Sequence, residues 1–409
     1  MAMRSIFPAG PGLVVAASLS LAIAHGEQPA SWSLRVDPIE TPASVESSAP
    51  QLSVSSRGVL LSWLERRGAT ASLKFSELQG AGWTTARTVA SGSNWFVNWA
   101  DVPSVVRLRD GSLAAHWLQK SGSGTYAYDV RLSHSRDNGR TWGPSFLPHH
   151  DGTQTEHGFA SLFDAPGGGL AVIWLDGRAM TGGHEGHGGG DMTLRFTTFD
   201  RAWSQAADVS LDTRVCECCP TDVAITADGP LVAYRDRSPT EVRDIYVTRL
   251  ENGRWTEPHA VHADDWRVPA CPVNGPALSA RGRDVAVAWF NAKNDEPKSF
   301  VAFSSDAGRR FGSPVRLDDV ASLGRVDVEL LPDGSAAAAY VEFANGRAGF
   351  RVRRVERNGT TSAPVTIAGM TGNRTSGLPR MVLHGNELVF AWVDREGGSQ
   401  VKTAKAVLR

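Results

Sequence analysis

The sequence predicts an all-β propeller of seven four-stranded antiparallel blades. Three observations predict it: an aromatic-tipped apolar segment that recurs seven times, a tight glycine turn ahead of it, and a final unit that stops one strand short. The recurring segment runs Val59-Leu-Leu-Ser-Trp63, Leu113-Ala-Ala-His-Trp117, Leu170-Ala-Val-Ile-Trp174 and Leu231-Val-Ala-Tyr234. It continues as Val285-Ala-Val-Ala-Trp289, Ala336-Ala-Ala-Ala-Tyr340 and Leu388-Val-Phe-Ala-Trp392. Successive tips are 51 to 60 residues apart. A repeat of about 50 residues that carries four short strands is the signature of a propeller blade.

Each segment is the second strand of its unit. A first strand precedes it across a turn: Val105-Val-Arg-Leu before Asp110-Gly111, Val328-Glu-Leu-Leu before Asp333-Gly334, Met381-Val-Leu before Gly385-Asn386. Asp-Gly between two apolar runs favours a hairpin, because its turn needs positive φ. Third and fourth strands follow in each unit. The last unit has a first strand (378–383), a second (387–393) and a third (400–407), and then the chain stops. Trp32-Ser-Leu-Arg-Val36 is the expected fourth strand, closing the ring from the N-terminal end and removing both open edges.

The opening residues read differently. Arg4 precedes an apolar run from Gly12 to Ala24 that ends in Ala22-Ile-Ala24. A basic start, a short hydrophobic stretch and small residues are the order of an export signal. The expected organisation is a signal peptide over 1–24 and one propeller domain over 25–409, with a periplasmic or secreted location. No later segment has the roughly 20 apolar residues that a membrane span needs.

Composition narrows the partners. Lys+Arg is 42 and Asp+Glu is 43, so the chain lacks the basic surplus of a nucleic-acid binder. Apolar residues make up 41%, enough for a packed core. The expected ligand is a small molecule or a glycan.

A second signature marks the corner after the third strand. Ser135-Arg-Asp137-Asn-Gly139-Arg-Thr-Trp142 and Ser304-Ser-Asp306-Ala-Gly308-Arg-Arg-Phe311 share the form Ser-x-Asp-x-Gly-x-x-aromatic. The Asp side chain can cap turn N–H groups, Gly can take the left-handed position, and the aromatic can wedge between strands. The motif resembles the Asp-box, or bacterial neuraminidase repeat, of the sialidase superfamily. Arg214-Val-Cys-Glu-Cys-Cys, Tyr234-Arg-Asp-Arg-Ser238, Arg243-Asp-Ile and Cys271-Pro-Val-Asn-Gly-Pro are similar to elements of exported sialidase-like bacterial proteins. Sialidases themselves have six blades, which makes six the alternative count.

That resemblance implies a site at the channel mouth, where the loops before first strands and after second strands converge. Sialidases clamp a substrate carboxylate with three arginines and use a Tyr–Glu nucleophile with an Asp acid/base. The candidate clamp here is Arg178, Arg235, Arg237, Arg325 and Arg374, with Arg243, Arg347 and Arg395 in loops of the same kind. Asp101 and Glu342 are the candidate catalytic carboxylates. The sequence departs from the family in two places. Ala49-Pro50-Gln51 stands where the family has Arg-Ile-Pro, and none of the five tyrosines has a nucleophile's setting. The expected function is therefore binding of, or action on, an acidic glycan, without classical sialidase catalysis. If the chain is an enzyme, it is an exo-glycosidase.

The alternative is a metal-binding, non-hydrolytic propeller. The four cysteines are Cys216, Cys218, Cys219 and Cys271. They fall in equivalent loops of adjacent units, so their sulfurs are expected to meet, as disulfides or as thiolate ligands for copper or zinc. The loop holding His184, His187 and Met192 lies beside them, and His157 points to the same mouth; imidazole and thioether are copper-type ligands.

Overall fold

The computed structural model describes residues 32–180 and 189–408. Seven antiparallel sheets follow one another in chain order. Blade 1 begins with Ser47–Ser55, Gly58–Arg67 and Thr70–Gln79; blade 2 has Ser104–Arg107, Leu113–Lys120 and Tyr128–Ser135. Blade 3 has His157–Asp164, Leu170–Asp176, Thr193–Phe199 and Val209–Asp212. Blades 4, 5 and 6 start at Asp222–Thr226, Ala277–Arg281 and Ser322–Leu330. Blade 7 has Arg380–His384, Glu387–Asp394 and Gln400–Val407. The count is seven, not six. Blade 2 lacks a regular fourth strand; a single bridge from Leu132 to Phe146 marks its outer edge.

All seven aromatic tips lie in second strands, as the repeat predicts. These strands are covered on both faces, which is why they read as unbroken apolar runs: Leu170–Asp176 is buried at every position. A buried indole N–H or phenol needs an acceptor. Trp63 donates to Glu65 at 3.0 Å, Trp174 to Asp176 at 2.8 Å, Trp289 to Asp264 at 2.7 Å, and Tyr234 to Asp212 at 2.6 Å. Each of these four tips thus ties the ring wall to an acid.

The two Ser-x-Asp-x-Gly turns have the same geometry. Asp137 Oδ1 accepts from the Thr141 N–H at 2.9 Å, and Asp306 Oδ1 from the Arg310 N–H at 3.0 Å. The serine hydroxyl accepts from the glycine N–H at 2.8 and 3.0 Å. The glycines have φ 76° and 79°, and the residues before them, Asn138 and Ala307, are left-handed too. Space also demands glycine. A Cβ at Gly139 would sit 2.3 Å from the Phe75 ring, and one at Gly308 would sit 2.6 Å from Leu231, each in the preceding blade.

Closure differs in detail from expectation. The strand that completes blade 7 is Val36–Ile39, pairing Val36 with Ala406 and Ile39 with Thr403. Only Val36 belongs to the segment expected from the sequence; Trp32 and Leu34 instead pack on the hydrophobic cluster of blades 6 and 7. Pro38 is tolerated because the outermost strand needs no donor on its free edge. The seam is reinforced where the Ser47 N–H donates to Ser399 O at 3.1 Å and the Ser399 hydroxyl to Ser47 O at 2.6 Å.

First strands line the channel and cross-link their neighbours. Asp222 Oδ2 accepts from the Leu278 N–H at 2.6 Å, and Asp327 Oδ2 from the Met381 N–H at 2.8 Å. Burial pushes these carboxyls up, to about 7 for Asp222 and about 6 for Asp327.

Candidate functional site

The loop between blades 1 and 2 contributes Trp99, which lines a pocket of about 400 Å³. Arg66, Arg374, Arg395 and Glu46 also line it. The Arg325 guanidinium lies 5.4 Å from the Trp99 ring centre and that of Arg374 lies 5.9 Å away. Arg325 is buried, and its N–H groups donate to Asn373 O at 2.8 Å and Ser376 Oγ at 3.3 Å. Burial, with Arg374 nearby, lowers its pKa to about 10. Neither Arg66 nor Arg374 pairs with a carboxylate among the described residues, and the three lining arginines outnumber the one lining carboxylate, Glu46, so the pocket carries a surplus of positive charge beside an aromatic face. Arg325, in the first strand of blade 6, and Arg374, ahead of blade 7, both approach the Trp99 ring, and Arg374 lines the pocket itself.

The other expected arginines do not join them. Arg235 is 1% exposed, and its three nitrogens donate to Asn274 O at 2.9 Å, Arg243 O at 2.6 Å and Phe290 O at 2.7 Å. It staples backbone and is buried out of a ligand's reach. Arg178 pairs with Asp176 at 2.7 Å and Asp208 at 2.8 Å. It lines a separate pocket with His149 and His150. Arg237 pairs with Glu217 and Glu241. A single cavity lined by Arg178, Arg235, Arg325 and Arg374 is thus not the geometry found. Sequence position places these arginines in similar loops but does not say which carboxylates and carbonyls claim them.

The carboxylates are engaged as well. Glu342 is buried, accepts from the Asp319 N–H at 2.8 Å and pairs with Arg351 at 3.1 Å. Asp101 accepts from the Phe159 N–H at 2.8 Å and lies 2.9 Å from the Tyr128 hydroxyl. Glu156 Oε1 lies 2.7 Å from the same hydroxyl. One phenolic proton serves only one of these contacts, so the other needs a carboxyl proton. Burial, with the charge of Glu156 added, pushes Asp101 up to about 7. Tyr128 is fully buried, with Phe96 stacked on it at 4.0 Å. Asp101 also lines a cavity of about 190 Å³ with Ser104, Ser161, Asp222 and Arg380. Sequence reading missed the trio because Tyr128 looks like an ordinary strand start.

Of the four thiols expected to meet, the three of one loop lie together. Cys216 Sγ is 3.8 Å from that of Cys218 and 2.6 Å from that of Cys219. Cys271 is exposed, and its thiol bears on that of Cys218. Burial would raise the Cys216 pKa, but hydrogen bonds from Cys218 and Cys219 and the charge of Arg243, whose Nη1 is 3.4 Å away, hold it well below the usual thiol value. Met192 is buried in the hydrophobic cluster that also contains Cys216 and Cys219. His157 turns away from the thiols and stacks on His149, with ring centres 3.8 Å apart. His184 and His187, like the expected export signal, lie outside the described residues.

No family model and no curated protein matches the sequence. Solved structures do resemble it in three dimensions. A protein of unknown function from Dyadobacter fermentans shares 13% identity over 92% of this chain and 99% of its own, with a TM-score of 0.52. The polysaccharide lyase Uly1 shares 10% over 88% and 90%, with a TM-score of 0.52. A mutant NanB sialidase from Streptococcus pneumoniae shares 9% over 91% and 94%, with a TM-score of 0.48. At such identities the likeness is one of fold. The fold and site define a seven-bladed propeller with an arginine-rich pocket lined by Trp99. No helix among the described residues is long and apolar enough to cross a membrane.

Proposed function

We propose that this chain is an exported propeller that binds an acidic glycan, with the Trp99 pocket as the recognition site. The observation that carries the reading is the Arg374 guanidinium beside the Trp99 ring in a pocket that also holds Arg66 and Arg395, with Arg325 buried behind the same ring. A sugar ring offers C–H groups to an indole face and a uronate or sialate carboxylate to guanidinium forks. Arg325, held by Asn373 and Ser376, backs the Trp99 ring; Arg66 and Arg374, free of ion pairs among the described residues, supply the clamp. Asp101 and Glu342 are held by partners inside the protein, so the reading is one of binding rather than classical hydrolysis. Uly1, which shares the fold, is a polysaccharide lyase, and an anionic polysaccharide suits the charge of this pocket. The test is calorimetric titration with acidic and neutral oligosaccharides of matched length. Acidic ligands bind, neutral ones do not, and Trp99→Ala or Arg374→Ala weakens binding about 10-fold, from loss of about 1–2 kcal/mol each. Equal binding of neutral ligands, or unchanged affinity in both variants, removes the proposal.

A second reading rests on the thiols. Cys216, Cys218 and Cys219 each place a sulfur within 4.8 Å of the others, a spacing that suits a thiolate site for copper(I) or zinc. Elemental analysis with free-thiol titration decides it: bound metal that is lost in Cys219→Ser supports the site, whereas metal-free protein with oxidised thiols replaces it with a disulfide staple.

A further inference from the structure

The Ser-x-Asp-x-Gly turns of blades 2 and 5 share one geometry but differ in the charge around them. In blade 5 the Arg309 guanidinium, one residue after the turn glycine, is neutralised from the preceding blade. It pairs with Asp228 at 2.5 Å and with Glu251. Asp228 lies in the hairpin turn between the first and second strands of blade 4, and Glu251 ends the third strand of that blade.

Blade 2 carries the same arginine, Arg140, after its own turn glycine. Strand register identifies the matching positions in blade 1. Ser55 faces Gly58 as Thr226 faces Gly229, so Arg57 stands where blade 4 has Asp228. Gln79 faces Gly82 as Glu251 faces Arg254, so Gln79 stands where blade 4 has Glu251. A base thus replaces one acid and a neutral amide the other. The backbone does not require this, since blade 4 builds the same hairpin turn around an aspartate.

Further guanidiniums arrive at the same junction. Arg57 donates to Asn138 Oδ1 at 2.6 Å, Arg107 donates to the same oxygen at 3.2 Å, and Arg87 donates to the Asn138 backbone carbonyl. Arg107 is buried and paired with Glu77 at 2.6 Å. Arg57, Arg87 and Arg140 are exposed, and none of them pairs with a carboxylate among the described residues. Arg140 reaches only the Asp137 backbone carbonyl, at 3.1 Å, because the Asp137 carboxylate is held by the Thr141 N–H and hydroxyl at 2.9 and 2.6 Å.

Three positive charges therefore surround one amide. Like charges this close repel, and their proximity shows at Arg107, whose pKa is lowered by burial first and then by the charges of Arg57 and Arg87, against the pull of Glu77. An anion of more than one charge offsets that repulsion. Donors from three separate elements can each take one oxygen of a tetrahedral group, whereas a carboxylate offers two oxygens in one plane.

We propose that Arg57, Arg87 and Arg140 form a binding site for a phosphate or sulfate group, independent of the Trp99 pocket and of the thiols. The two anion sites lie at opposite ends of one strand: the Trp99 loop leads into Ser104–Arg107, and Arg107 is its last residue.

The test is calorimetric titration of the full chain with inorganic phosphate, sulfate and chloride at low ionic strength. Phosphate and sulfate bind, and chloride does not. Arg57→Asp recreates the blade 4 arrangement, so the protein folds with Arg140 paired and binds phosphate about 100-fold more weakly; Arg87→Gln binds it about 10-fold more weakly. Arg374→Ala leaves this equivalent in place, which separates it from the Trp99 pocket. At matched ionic strength phosphate raises the melting temperature of the wild type by more than that of Arg57→Asp, whereas salting-out shifts both alike. The phosphate and sulfate esters of one sugar, titrated separately, tell which group the site takes. Should Arg57→Asp fail to fold, Arg57→Gln gives the same reading. Equal phosphate affinity in wild type, Arg57→Asp and Arg87→Gln overturns the proposal, as does a wild type that binds phosphate no more tightly than chloride.

Discussion

Replacing Arg235 by alanine separates structural from functional arginines. The side chain is 1% exposed, donates to three backbone carbonyls and lies 5.0 Å from the centre of the Trp266 ring. Those carbonyls belong to loops of blades 4 and 5 and to the second strand of blade 5, so one guanidinium ties neighbouring blades together. A hydrogen bond to a charged group contributes about 1.5–3 kcal/mol, and a buried acceptor left without its donor costs about 1–3 kcal/mol. Loss of three donors and of the ring contact amounts to about 4 kcal/mol or more, even if water refills part of the space. That is a large part of the roughly 5–15 kcal/mol typical of a folded domain. Arg235→Lys keeps the charge but cannot reach three carbonyls, so its loss falls in between. Urea unfolding followed by tryptophan fluorescence gives the comparison. A cost below about 1 kcal/mol for Arg235→Ala, or loss of acidic-glycan binding in a fully stable Arg235→Ala protein, would refute the structural role.

Gly158→Ala places a Cβ 2.1 Å from Asp101 Oδ2 and 2.6 Å from the Tyr128 hydroxyl, so a loss of about 1–3 kcal/mol is expected in the same unfolding assay. Glu329, raised to about 8 by burial with the charge of Asp327 added, stays protonated in the fold and ionises in the unfolded chain. Its contribution is complete below a pH of about 4.5 and is lost as pH rises through about 8; Glu329→Gln therefore flattens the fall in melting temperature between pH about 5 and about 9. Asp306→Ala frees the turn N–H groups that the carboxylate caps, and the expected result is faster amide exchange at Arg310 with little change in the blade 5 strands.

The ring was legible because it rests on periodic information. Trp63, Trp117, Trp174 and Trp289 mark second strands, and the Asp-Gly turns mark the hairpins before them. Val36–Ile39 was displaced from the segment expected, because Pro38 reads as a breaker unless the strand is known to sit on an outer edge. The site was legible only in part. Loop class brought Arg325 and Arg374 together and gathered the thiols of Cys216, Cys218 and Cys219. It could not distinguish Arg374, which has no ion pair among the described residues, from Arg235, which three carbonyls occupy, since two of those carbonyls come from Asn274 and Phe290, 39 and 55 residues away. Trp99 carried a usable signal: it is a tryptophan in an inter-blade loop, outside the aromatic positions of the repeat. Arg57 and Arg87 carried none, because their convergence on Asn138 depends on how blade 1 sits against blade 2.

The most direct test of the glycan reading is a crystal structure of the protein with an acidic disaccharide bound. The account predicts the sugar ring against Trp99, with its carboxylate between the guanidiniums of Arg66 and Arg374. A disaccharide bound elsewhere, with the Trp99 pocket empty at saturating concentration, would contradict it.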